Sequence, residues 1–585
     1  MKVLPEGINK FTEIIDNDLY FVDKTPYVAE FEKRKKFFLF FVRPRRFGKS
    51  IFLNMMETYY DIAQKDKFEH YFGKTWIYSH VTPEQGKYQV IHLDFSKIDS
   101  DIETVKNDFN DVVGRMILRQ AQKYSKYYDE DFVPDIAGIN TAKNKLEHFC
   151  AKANEKGYPV YLFVDEYDNF TNSILTEKGE TRYHDITHGT GFYRDFFKVV
   201  KSSCQKVFMT GISPVTLDDL TSGYNIATHI TLEPLFNSML GFTTAEVREI
   251  IAYYQENGLL SGFAPEKIIS DMAVWYDGYC FSEDAFSNGD HVFNSYMVTE
   301  YLSEFALNGK PPKSMLVENT LIDYEKLKRI IALDRVQKND NETREMVIDN
   351  LIAGEEYDRI IAKSFPASGL LKIGNFISYL FYLGMLTVKG IKGVSPILGI
   401  PNLNVKMQYY SYLLEMAGAS LASNFDGIIV KAVNEAAISG NIREFVEVTV
   451  NHCEKFSGNR QLKLKEGLFQ AFFLAFLSLN PIYEMAPELE LNHGYNDIFL
   501  FPKIGSVGVE HSYLIELKYL KPEDSDAVKN KYIEDARKQL RDYAADPKSS
   551  SLSRGTSLHL TVVVLRGFKL EFFEDAIWNE KEASS

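Results

Sequence analysis

The stretch KKFFLFFVRPRRFGKSIFLNMMETYYD at residues 35–61 decides the fold of the first part of this chain. Its apolar run FFLFFV has the length of a strand that is buried on both faces of a parallel sheet. After Ser50, apolar residues recur at helical spacing. The order strand, loop, helix is the setting of a phosphate-binding loop, and Gly48, Lys49 and Ser50 match the end of such a loop.

Arg43 stands where a loop of this type has its first glycine. Glycine there allows a tight turn close to a phosphate, whereas Arg43 followed by Pro44 sets a different path for the backbone. Arg45 and Arg46 add positive charge next to the expected phosphates. The loop is therefore more basic and less flexible than the usual motif.

The strongest phosphate contacts of such a loop remain in place. Backbone N–H groups from Gly48 onward would hold the phosphates at the helix N-terminus, and Lys49 would reach the β and γ oxygens. The Ser50 hydroxyl would ligate Mg²⁺. We therefore expect this loop to bind ATP with Mg²⁺, while its rate of turnover stays open.

A second motif follows in YPVYLFVDEYDNF at residues 158–170. Five apolar residues run directly into Asp165 and Glu166, so both carboxylates lie at the C-terminal end of a buried strand, the edge where open α/β sheets bind ligands. We expect Asp165 to hold the Mg²⁺ shell and Glu166 to polarise the attacking water. The alternative is a strand that ends in a solvated acidic turn, which the loop upstream disfavours.

Two further apolar runs complete the predicted sheet. YQVIHLDFS (residues 88–96) reads as a buried strand, and KVFMTGISP (residues 206–214) ends in the polar residues Thr210 and Ser213. In related ATPases such a strand end senses the γ-phosphate, but a strand capped by a turn explains the same pattern and is favoured. Strands that alternate with helical segments predict a doubly wound parallel α/β sheet, here that of a P-loop NTPase.

Length and composition indicate a globular protein of two to four domains, since 585 residues exceed one hydrophobic core. The 35 tyrosines and 43 phenylalanines argue against long disordered tracts. The net charge of −15 weighs mildly against nucleic-acid binding, although local patches decide phosphate contact. Residues 33–49 form one basic patch, with cations at Lys33, Arg34, Lys35, Lys36, Arg43, Arg45, Arg46 and Lys49.

Cysteine usage and hydropathy predict a soluble, cytoplasmic protein. The four cysteines are far apart in sequence and form no CxxC pair, which excludes a zinc ribbon and gives no disulfide framework. The N-terminus has no apolar signal-peptide core. The most apolar runs, such as residues 376–388, are too short to span a bilayer.

Several of these segments together resemble a known family. LPEGINKFTEI, YFVDKTPYVAEF and FLFFVRPRRFGKSIFLNMM, with the later VDEYD, FYRDFFK, VFMTGISP and WYDGYCF, resemble the bacterial AAA-ATPase-like family, whose members are often fused to a PD-(D/E)XK nuclease domain. The RPRRFGKS form of the loop is usual in that family, so the resemblance makes Arg43 a family trait. One departure is FNSY at residues 293–296, where the family commonly has Asn-Pro; we expect no effect on chemistry.

The middle of the chain, from about Gly241 to Gly390, has a helical pattern. TTAEVREIIAYYQENG opens with a threonine cap and ends with glycine. GNFISYLFYLGMLTVKG reads as a helix followed by a short strand, as in a winged-helix module. By resemblance this part is a helical lid with a winged-helix-like segment, and since nothing basic stands out in it, a structural lid is favoured over a DNA-binding role.

The C-terminal part reads as helix, three strands, helix, strand over residues 463–565. In YLIELK, side chains alternate, so Glu516 and Lys518 share one face of a strand. Asp497 lies on the preceding strand, within reach of that face. Asp497 and Glu516, together with the Leu517 carbonyl, could bind Mg²⁺ or Mn²⁺ through oxygen ligands. Lys518 could offset negative charge on a phosphate. Without further support, an ordinary surface strand explains the same residues.

The resemblance supplies that support. GYNDIFLFP, YLIELKYLK and ARKQLRDY are similar to the GxxD, ExK and Q segments of the PD-(D/E)XK domain found in this family. The resemblance implies Asp497, Glu516 and Lys518 as the catalytic set, with Glu466 and Gln539 in support. It also implies a restriction-endonuclease-like α/β fold. Where family members often have Gly-Arg, this chain has Gly494 followed by Tyr495, which removes a positive charge but no metal ligand.

These observations predict an α/β multidomain protein. We expect a P-loop AAA-ATPase-like domain at residues 1–240, a lid at 241–400 and a nuclease-like domain at 401–585. The first hypothesis is an ATPase that gates or loads a Mg²⁺-dependent DNA nuclease; the alternative is a nucleotide-dependent switch or scaffold whose nuclease fold binds without cleaving. Expected partners are ATP and nucleic acid, with no membrane, and a homo-oligomer is left open.

Overall fold

The computed structural model describes residues 1–99, 101, 104–171, 191–215, 227–312, 315, 343–418, 425–458, 466–478, 482–491, 494–503, 508–567 and 569–579. These residues form two compact units. The first unit is built from the described residues of Met1–Lys310, Glu325–Arg344 and Glu356–Leu403. The second is built from those of Pro311–Tyr324, Glu345–Glu355 and Asn404–Ser585. A separate lid domain at residues 241–400 stays a prediction.

A five-stranded parallel sheet forms the centre of the first unit. Its strands are β1 (Phe38–Val42), β2 (Gln89–Asp94), β3 (Val160–Asp165), β4 (Lys206–Gly211) and β5 (Thr228–His229), in the order β2-β3-β4-β1-β5. Every residue of β3 and β4 is buried, which explains their continuous apolar runs. The predicted parallel sheet is confirmed, and β4 lies between the strand of the loop and the strand of the acidic pair.

Eight helices accompany this sheet within the described residues up to Ser203. Helices α3 and α5 lie against the sheet, and the N-terminus of α7 is capped by the Thr141 hydroxyl, which accepts the N–H of Asn144. The helices are α1 (Phe11–Asp16), α2 (Pro26–Lys33), α3 (Lys49–Tyr60), α4 (Phe68–Phe72), α5 (Val105–Tyr124), α6 (Phe132–Gly138), α7 (Ala142–Glu155) and α8 (Phe192–Ser203).

The next part of the chain is helical, as its pattern predicts. Thr243 and Glu246 form a reciprocal capping box at the start of α9, and Asn294 caps α12 by accepting two backbone N–H groups. The helices are α9 (Thr244–Glu256), α10 (Pro265–Tyr276), α11 (Glu283–Ser287), α12 (Ser295–Asn308), α13 (Arg344–Ile352) and α14 (Ile373–Tyr382). No helix in the described part of the chain is long and apolar enough to cross a membrane.

A small antiparallel sheet accompanies α14. Its strands are β6 (Tyr357–Asp358), β7 (Thr387–Lys392) and β8 (Ser395–Gly399), in the order β6-β8-β7. The predicted helix followed by a strand is present as α14 and β7. The strand continues into a hairpin with β8, which gives a helix followed by a two-stranded wing.

A second five-stranded sheet forms the centre of the second unit, in the order β13-β12-β11-β10-β9. Strands β11 and β12 are parallel, and the other neighbours are antiparallel. The elements are α15 (Leu403–Gly418), α16 (Phe425–Ser439), α17 (Arg443–Gly458), α18 (Glu466–Ser478), β9 (Tyr483–Leu491), β10 (Gly494–Pro502), β11 (His511–Leu520), α19 (Asp526–Ala544), α20 (Pro547–Ser553), β12 (Ser557–Arg566) and β13 (Lys569–Ile577).

Helix α19 crosses from β11 to β12 and packs on one face of this sheet. Phe499, Leu514, Leu540 and Tyr543 belong to the apolar cluster between them. The other face carries Tyr513, whose hydroxyl donates to the Ala436 carbonyl of α16. The sheet therefore has helices on both faces.

The prediction that β12 is the last strand is wrong, because β13 follows it as an antiparallel neighbour. The segment KLEFFEDAI has two adjacent phenylalanines and three acidic residues, so it lacks the alternation that marks a strand. It pairs here because it is the outer strand of the sheet, where charged side chains reach solvent.

The structure also changes the interpretation of two cysteines. Cys150 and Cys204 are 54 positions apart in sequence, yet their Sγ atoms lie 3.9 Å apart, and both thiols are free and buried. Sequence spacing alone does not reveal this contact, because α7 and the segment before β4 meet only in the folded unit.

We predict that Gly211→Ala at the end of β4 destabilises the first unit by about 1–3 kcal/mol, because small-to-large changes in a filled site strain it. A Cβ atom at Gly211 would lie 2.3 Å from Asp168 Oδ1 and 2.6 Å from Tyr167 Cδ1. Calorimetric unfolding of the whole chain measures the effect. Gly138→Ala is the control, since its Cβ would meet nothing within 4 Å, and equal stability of the two variants would contradict the prediction.

Candidate functional site

The loop between β1 and α3 has the geometry of a phosphate-binding turn. Gly48 has a φ of 91°, a conformation that favours glycine, and α3 begins at the next residue, Lys49. The Ser50 hydroxyl donates to Asp165 Oδ2 at 2.8 Å. The loop and the acidic strand end therefore meet, although β4 separates their strands.

Lys49 is folded back against its own loop. Its Nζ donates to the carbonyls of Arg43 at 2.9 Å and Pro44 at 2.8 Å. Burial lowers the pKa of Lys49, while the charges of Asp165 and Glu166 act in the opposite direction. A buried ammonium group held by two carbonyls can exchange them for phosphate oxygens, which are stronger acceptors.

Arg43 does not belong to the basic surface patch that the sequence predicts. Its side chain is 1% exposed, and its guanidinium donates to the carbonyls of Val42, Thr231 and Phe236 at 2.9–3.1 Å. The same group lies 4.1 Å from the centre of the Phe281 ring. Arg43 is thus a structural cation beneath the loop, and its distance from solvent leaves phosphate contact to other residues.

Arg46 joins the loop to the N-terminus of α12. It has a φ of 67°, and its carbonyl accepts the Ser295 hydroxyl at 3.2 Å and the Tyr296 N–H at 3.3 Å. Its guanidinium lies 4.8 Å from the centre of the Tyr296 ring. The FNSY segment therefore contacts the loop directly, so the departure from Asn-Pro is close to the expected chemistry.

Asp165 and Glu166 have unusual environments at the end of β3. Burial raises the pKa of Asp165, and burial followed by the Asp165 charge raises that of Glu166. Glu166 also has a left-handed backbone, with a φ of 49°. A strained, partly desolvated carboxylate beside Asp165, the expected magnesium ligand, is suited to accepting a proton from water.

Asp168 accepts hydrogen bonds from the residues that follow β4. Its carboxylate accepts the N–H groups of Ile212 and Ser213 and the Ser213 hydroxyl, at 2.9–3.2 Å. Ser213 therefore caps a turn, which is the alternative that the sequence favoured. Thr210 is fully buried and is not part of the cavity wall described next, so a γ-phosphate role for Thr210 stays a prediction.

A cavity of about 410 Å³ opens beside the loop. Arg45, Arg46, Gly48, Lys49, Ser50 and Glu166 form its polar side. Part of its apolar lining comes from the N-terminal segment, which was not predicted to lie at the site. Contributing residues there are Leu4, Pro5, Ile8, Tyr20, Phe21 and Val22. A cavity lined by both basic and apolar side chains is suited to the phosphates and the base of a nucleotide.

An ion pair that the sequence did not predict lies next to Asp165. His92 of β2 and Glu57 of α3 form an ion pair through Nδ1 and Oε1. Burial pulls the pKa of His92 down, but the Glu57 carboxylate more than offsets this, and the pKa rises to about 9. Residues 35 positions apart on a strand and a helix give no joint signal in the sequence.

The predicted nuclease residues converge on one face of the second sheet. Pairing of β10 with β11 covers only Ile498–Leu500, and next to it Asp497 Oδ2 accepts the Leu517 N–H at 2.7 Å. On β11, Lys518 Nζ donates to Glu516 Oε1 at 2.6 Å. The side chain of Glu516 is 3% exposed and that of Lys518 is 20% exposed. The carboxylates and the ammonium group therefore sit where the two strands part.

Helix α19 lies over this face and brings Gln539 to it. Gln539 is hydrogen-bonded to Tyr543, whose pKa is raised to about 12 by burial and then by the charges of Glu516 and Asp497. The Tyr543 hydroxyl donates to the Tyr495 carbonyl at 2.9 Å. Tyr543 was missed from sequence, although its position four residues after Gln539 places both on one side of a helix.

Helix α18 supports the same site from its N-terminal half. Gln470 Nε2 donates to the Asp497 carbonyl at 2.7 Å, which the sequence did not suggest. Glu466 is the first residue of α18, and its side chain lies outside the described residues. The supporting role of Glu466 stays a prediction.

The oxygen donors at both sites suit Mg²⁺. The first site offers the Ser50 hydroxyl and the Asp165 carboxylate, and the second offers Asp497, Glu516 and the Leu517 carbonyl. Within the residues that the structure describes, no group of three or more His, Cys, Asp and Glu side chains is placed to hold a metal ion. Metal binding by Asp497 and Glu516 with the Leu517 carbonyl stays a prediction.

Two family models match this chain in the predicted order. The family described as predicted AAA-ATPase matches residues 5–221, and the PD-(D/E)XK nuclease superfamily matches residues 464–573. The chain therefore joins an AAA-ATPase-like domain to a C-terminal domain of the PD-(D/E)XK nuclease superfamily. The resemblance inferred from the motifs is confirmed, and an α/β multidomain fold with it.

One curated relative is an uncharacterised protein from the 5′ region of vnfD in Azotobacter chroococcum mcd 1. It is 24% identical over 325 residues, which cover 53% of this chain and 55% of the relative. This chain thus spans about half the length of the curated relative that it matches.

Two solved structures from Aeropyrum pernix are also similar to this chain. The ORC1 protein in complex with DNA has a TM-score of 0.24 and 9% identity, with coverage of 64% of this chain and 86% of that one. The ORC2 protein, in ADPNP and ADP complexes, has a TM-score of 0.24 and 12% identity, with coverage of 67% and 93%.

We predict a pH dependence of stability from His92. Its folded pKa of about 9 exceeds the ordinary 6.5, so the folded state binds more protons between these values. The ion pair with Glu57 is fully stabilising below about pH 6.5, and its contribution is lost as the pH rises through about 9. Thermal unfolding midpoints of wild type and His92→Gln should therefore converge in that window. The exposed His80→Gln variant is the control; parallel curves for wild type and His92→Gln would refute the assignment.

Proposed function

We propose that this chain binds and hydrolyses ATP and that its C-terminal domain is a Mg²⁺-dependent phosphodiesterase that cleaves DNA, with ATP turnover gating or loading the nuclease. The observation that carries the nuclease part is the convergence of Asp497, Glu516 and Lys518 where β10 and β11 part. The domain order supports the combination of activities.

The nuclease chemistry follows from these side chains. Asp497 and Glu516 would hold the cation, which when bound supplies Lewis-acid polarisation of the phosphate. Lys518, whose ammonium group lies beside Glu516, would offset the negative charge that develops on the phosphorus centre. Gln539 and Tyr543 would fix the substrate side of the site from α19.

The ATPase chemistry follows from the loop. Lys49 would leave the carbonyls of Arg43 and Pro44 for the β and γ phosphates, and Ser50 with Asp165 would hold Mg²⁺. Glu166 would orient the attacking water and take its proton, since its raised pKa makes it a stronger base than an exposed carboxylate. Movement of the loop on ATP binding would be passed to α12 through the Arg46 carbonyl.

The nuclease assignment is tested by Glu516→Gln, which keeps the shape of the side chain but removes its charge. We expect wild type to cleave plasmid or single-stranded DNA in Mg²⁺ or Mn²⁺. The variant should lose at least about 100-fold in rate, the scale of losing one preorganised electrostatic contact to a transition state. Gel assays with and without ATP measure both. The exposed Glu510→Gln, six positions earlier, is the matched control.

Two outcomes of that assay would count against the nuclease. Cleavage that survives in Glu516→Gln would mean a contaminant or another site. No cleavage by wild type on any nucleic acid would leave the nucleotide-dependent switch or scaffold, in which the nuclease fold binds without cutting.

The ATPase assignment is tested separately with Lys49→Ala. We expect ATP hydrolysis to fall to background because the lysine contact to the β and γ phosphates is lost, while Lys36→Ala, an exposed cation of the same basic segment, keeps wild-type turnover. Phosphate release measures both variants. If gating holds, Lys49→Ala also changes DNA cleavage; unchanged cleavage would show that the two activities are independent.

A further inference from the structure

We propose that Tyr495 is a stacking platform for an unpaired nucleobase beside the scissile phosphate, so that the nuclease site acts on single-stranded or frayed nucleic acid. The inference rests on the proposed function of that site and adds the substrate class. It is carried by the exposure of the Tyr495 ring, its position relative to Asp497 and the hydrogen bonds that fix its backbone.

The Tyr495 side chain is 61% exposed, although aromatic side chains usually bury most of their surface. Tyr495 and Asp497 are two positions apart on β10, so their side chains leave the same face of the sheet about 7 Å apart. Glu516 and Lys518 share that face, through the register of Phe499 with Leu514. An uncharged aromatic ring thus stands at the rim of the proposed metal site.

The backbone of Tyr495 is held in place by contacts with Tyr543. The Tyr543 hydroxyl donates to the Tyr495 carbonyl at 2.9 Å, and Tyr543 itself is 2% exposed. The preceding Gly494 has a φ of 141°, and a Cβ atom there would lie 3.2 Å from the Tyr543 oxygen. The Tyr495 backbone is therefore held by α19, which leaves only the side-chain rotamer to be set on binding.

The uncharged aromatic face of Tyr495 favours a nucleobase over a phosphate as its ligand. A tyrosine ring offers no charge to a phosphate, but its face stacks on any nucleobase, a contact worth about 1–3 kcal/mol per base. Base faces inside a duplex are covered by their neighbours, so this contact requires an unpaired base.

The test compares wild type, Tyr495→Leu and Tyr495→Phe as full-length chains. A labelled single-stranded oligonucleotide and a hairpin duplex of the same sequence are titrated in Ca²⁺, with fluorescence anisotropy as the readout and a gel to verify that the probes stay intact. A second single strand carries a fluorescent purine analogue whose emission falls when it stacks. Tyr519→Leu is the matched control, because that side chain lies on the opposite face of the same sheet.

We expect Tyr495→Leu to weaken binding of the single strand at least about five-fold and to abolish quenching of the analogue. Tyr495→Phe and Tyr519→Leu should stay within about two-fold of wild type, and duplex binding should change less than about two-fold in every variant. Wild-type affinity of Tyr495→Leu for the single strand, an equal loss on both probes, or no single-strand binding by wild type would each overturn the inference.

Cleavage in Mg²⁺ is scored apart from binding, so that the two proposals fail in different ways. Tyr495-dependent binding without cleavage by wild type would defeat the nuclease activity and leave the platform. Cleavage by wild type, with single-strand binding that does not depend on Tyr495, would refute the stacking role of Tyr495 and leave the nuclease proposal intact.

Discussion

The burial of one cation, Arg43, is the constraint on which the nucleotide site depends. A guanidinium inside a protein is costly without partners, and here Nη1 and Nη2 donate to the carbonyls of Val42, Thr231 and Phe236, while the group lies 4.1 Å from the centre of the Phe281 ring. These bonds tie the end of β1 to the chain that follows β5. The loop then leaves β1 along a path set by an internal cation, in place of the flexibility that a glycine would give.

From this fixed start, the functional groups of the first unit reach one edge of the sheet. The Ser50 hydroxyl donates to Asp165, although β4 lies between the strands that carry them. The Asp168 carboxylate accepts the backbone N–H of Ser213, just after the end of β4. Gly211 leaves just enough space for the Tyr167 ring and the Asp168 carboxylate. The loop, the acidic pair and β4 are therefore joined by direct hydrogen bonds and packing contacts.

Much of this could be predicted from sequence, because the signal was local. The apolar runs of β1, β3 and β4 fit only buried strands, and alternation in YLIELK placed Glu516 and Lys518 on one face. The rest depended on contacts between distant parts of the chain. Whether an arginine in a basic run points inward, as Arg43 does, depends on carbonyls nearly 200 positions away.

In the second sheet, too, local sequence signals were readable, whereas contacts between distant elements were not. The expected metal ligands, Asp497 and Glu516, followed from spacing and resemblance, but the contacts around them come from other elements: Gln470 from α18 and Tyr543 from α19. Neither residue belongs to the strand motifs, and an amide or a phenol on an amphipathic helix has no distinctive pattern. The strand motifs therefore gave the expected ligands but not the residues of α18 and α19 that contact them.

The outer strand β13 has a consequence for handling the protein. Its inner neighbour β12 carries the run VVVL, and without β13 that strand would present unpaired N–H and C=O groups beside an apolar face, the usual template for edge-to-edge aggregation. Lys569, Glu571, Glu574 and Asp575 make β13 itself a poor template. A recombinant fragment cut at the end of the family match, residue 573, would divide this protective strand, so truncations of the C-terminal domain should retain the chain through Ile577.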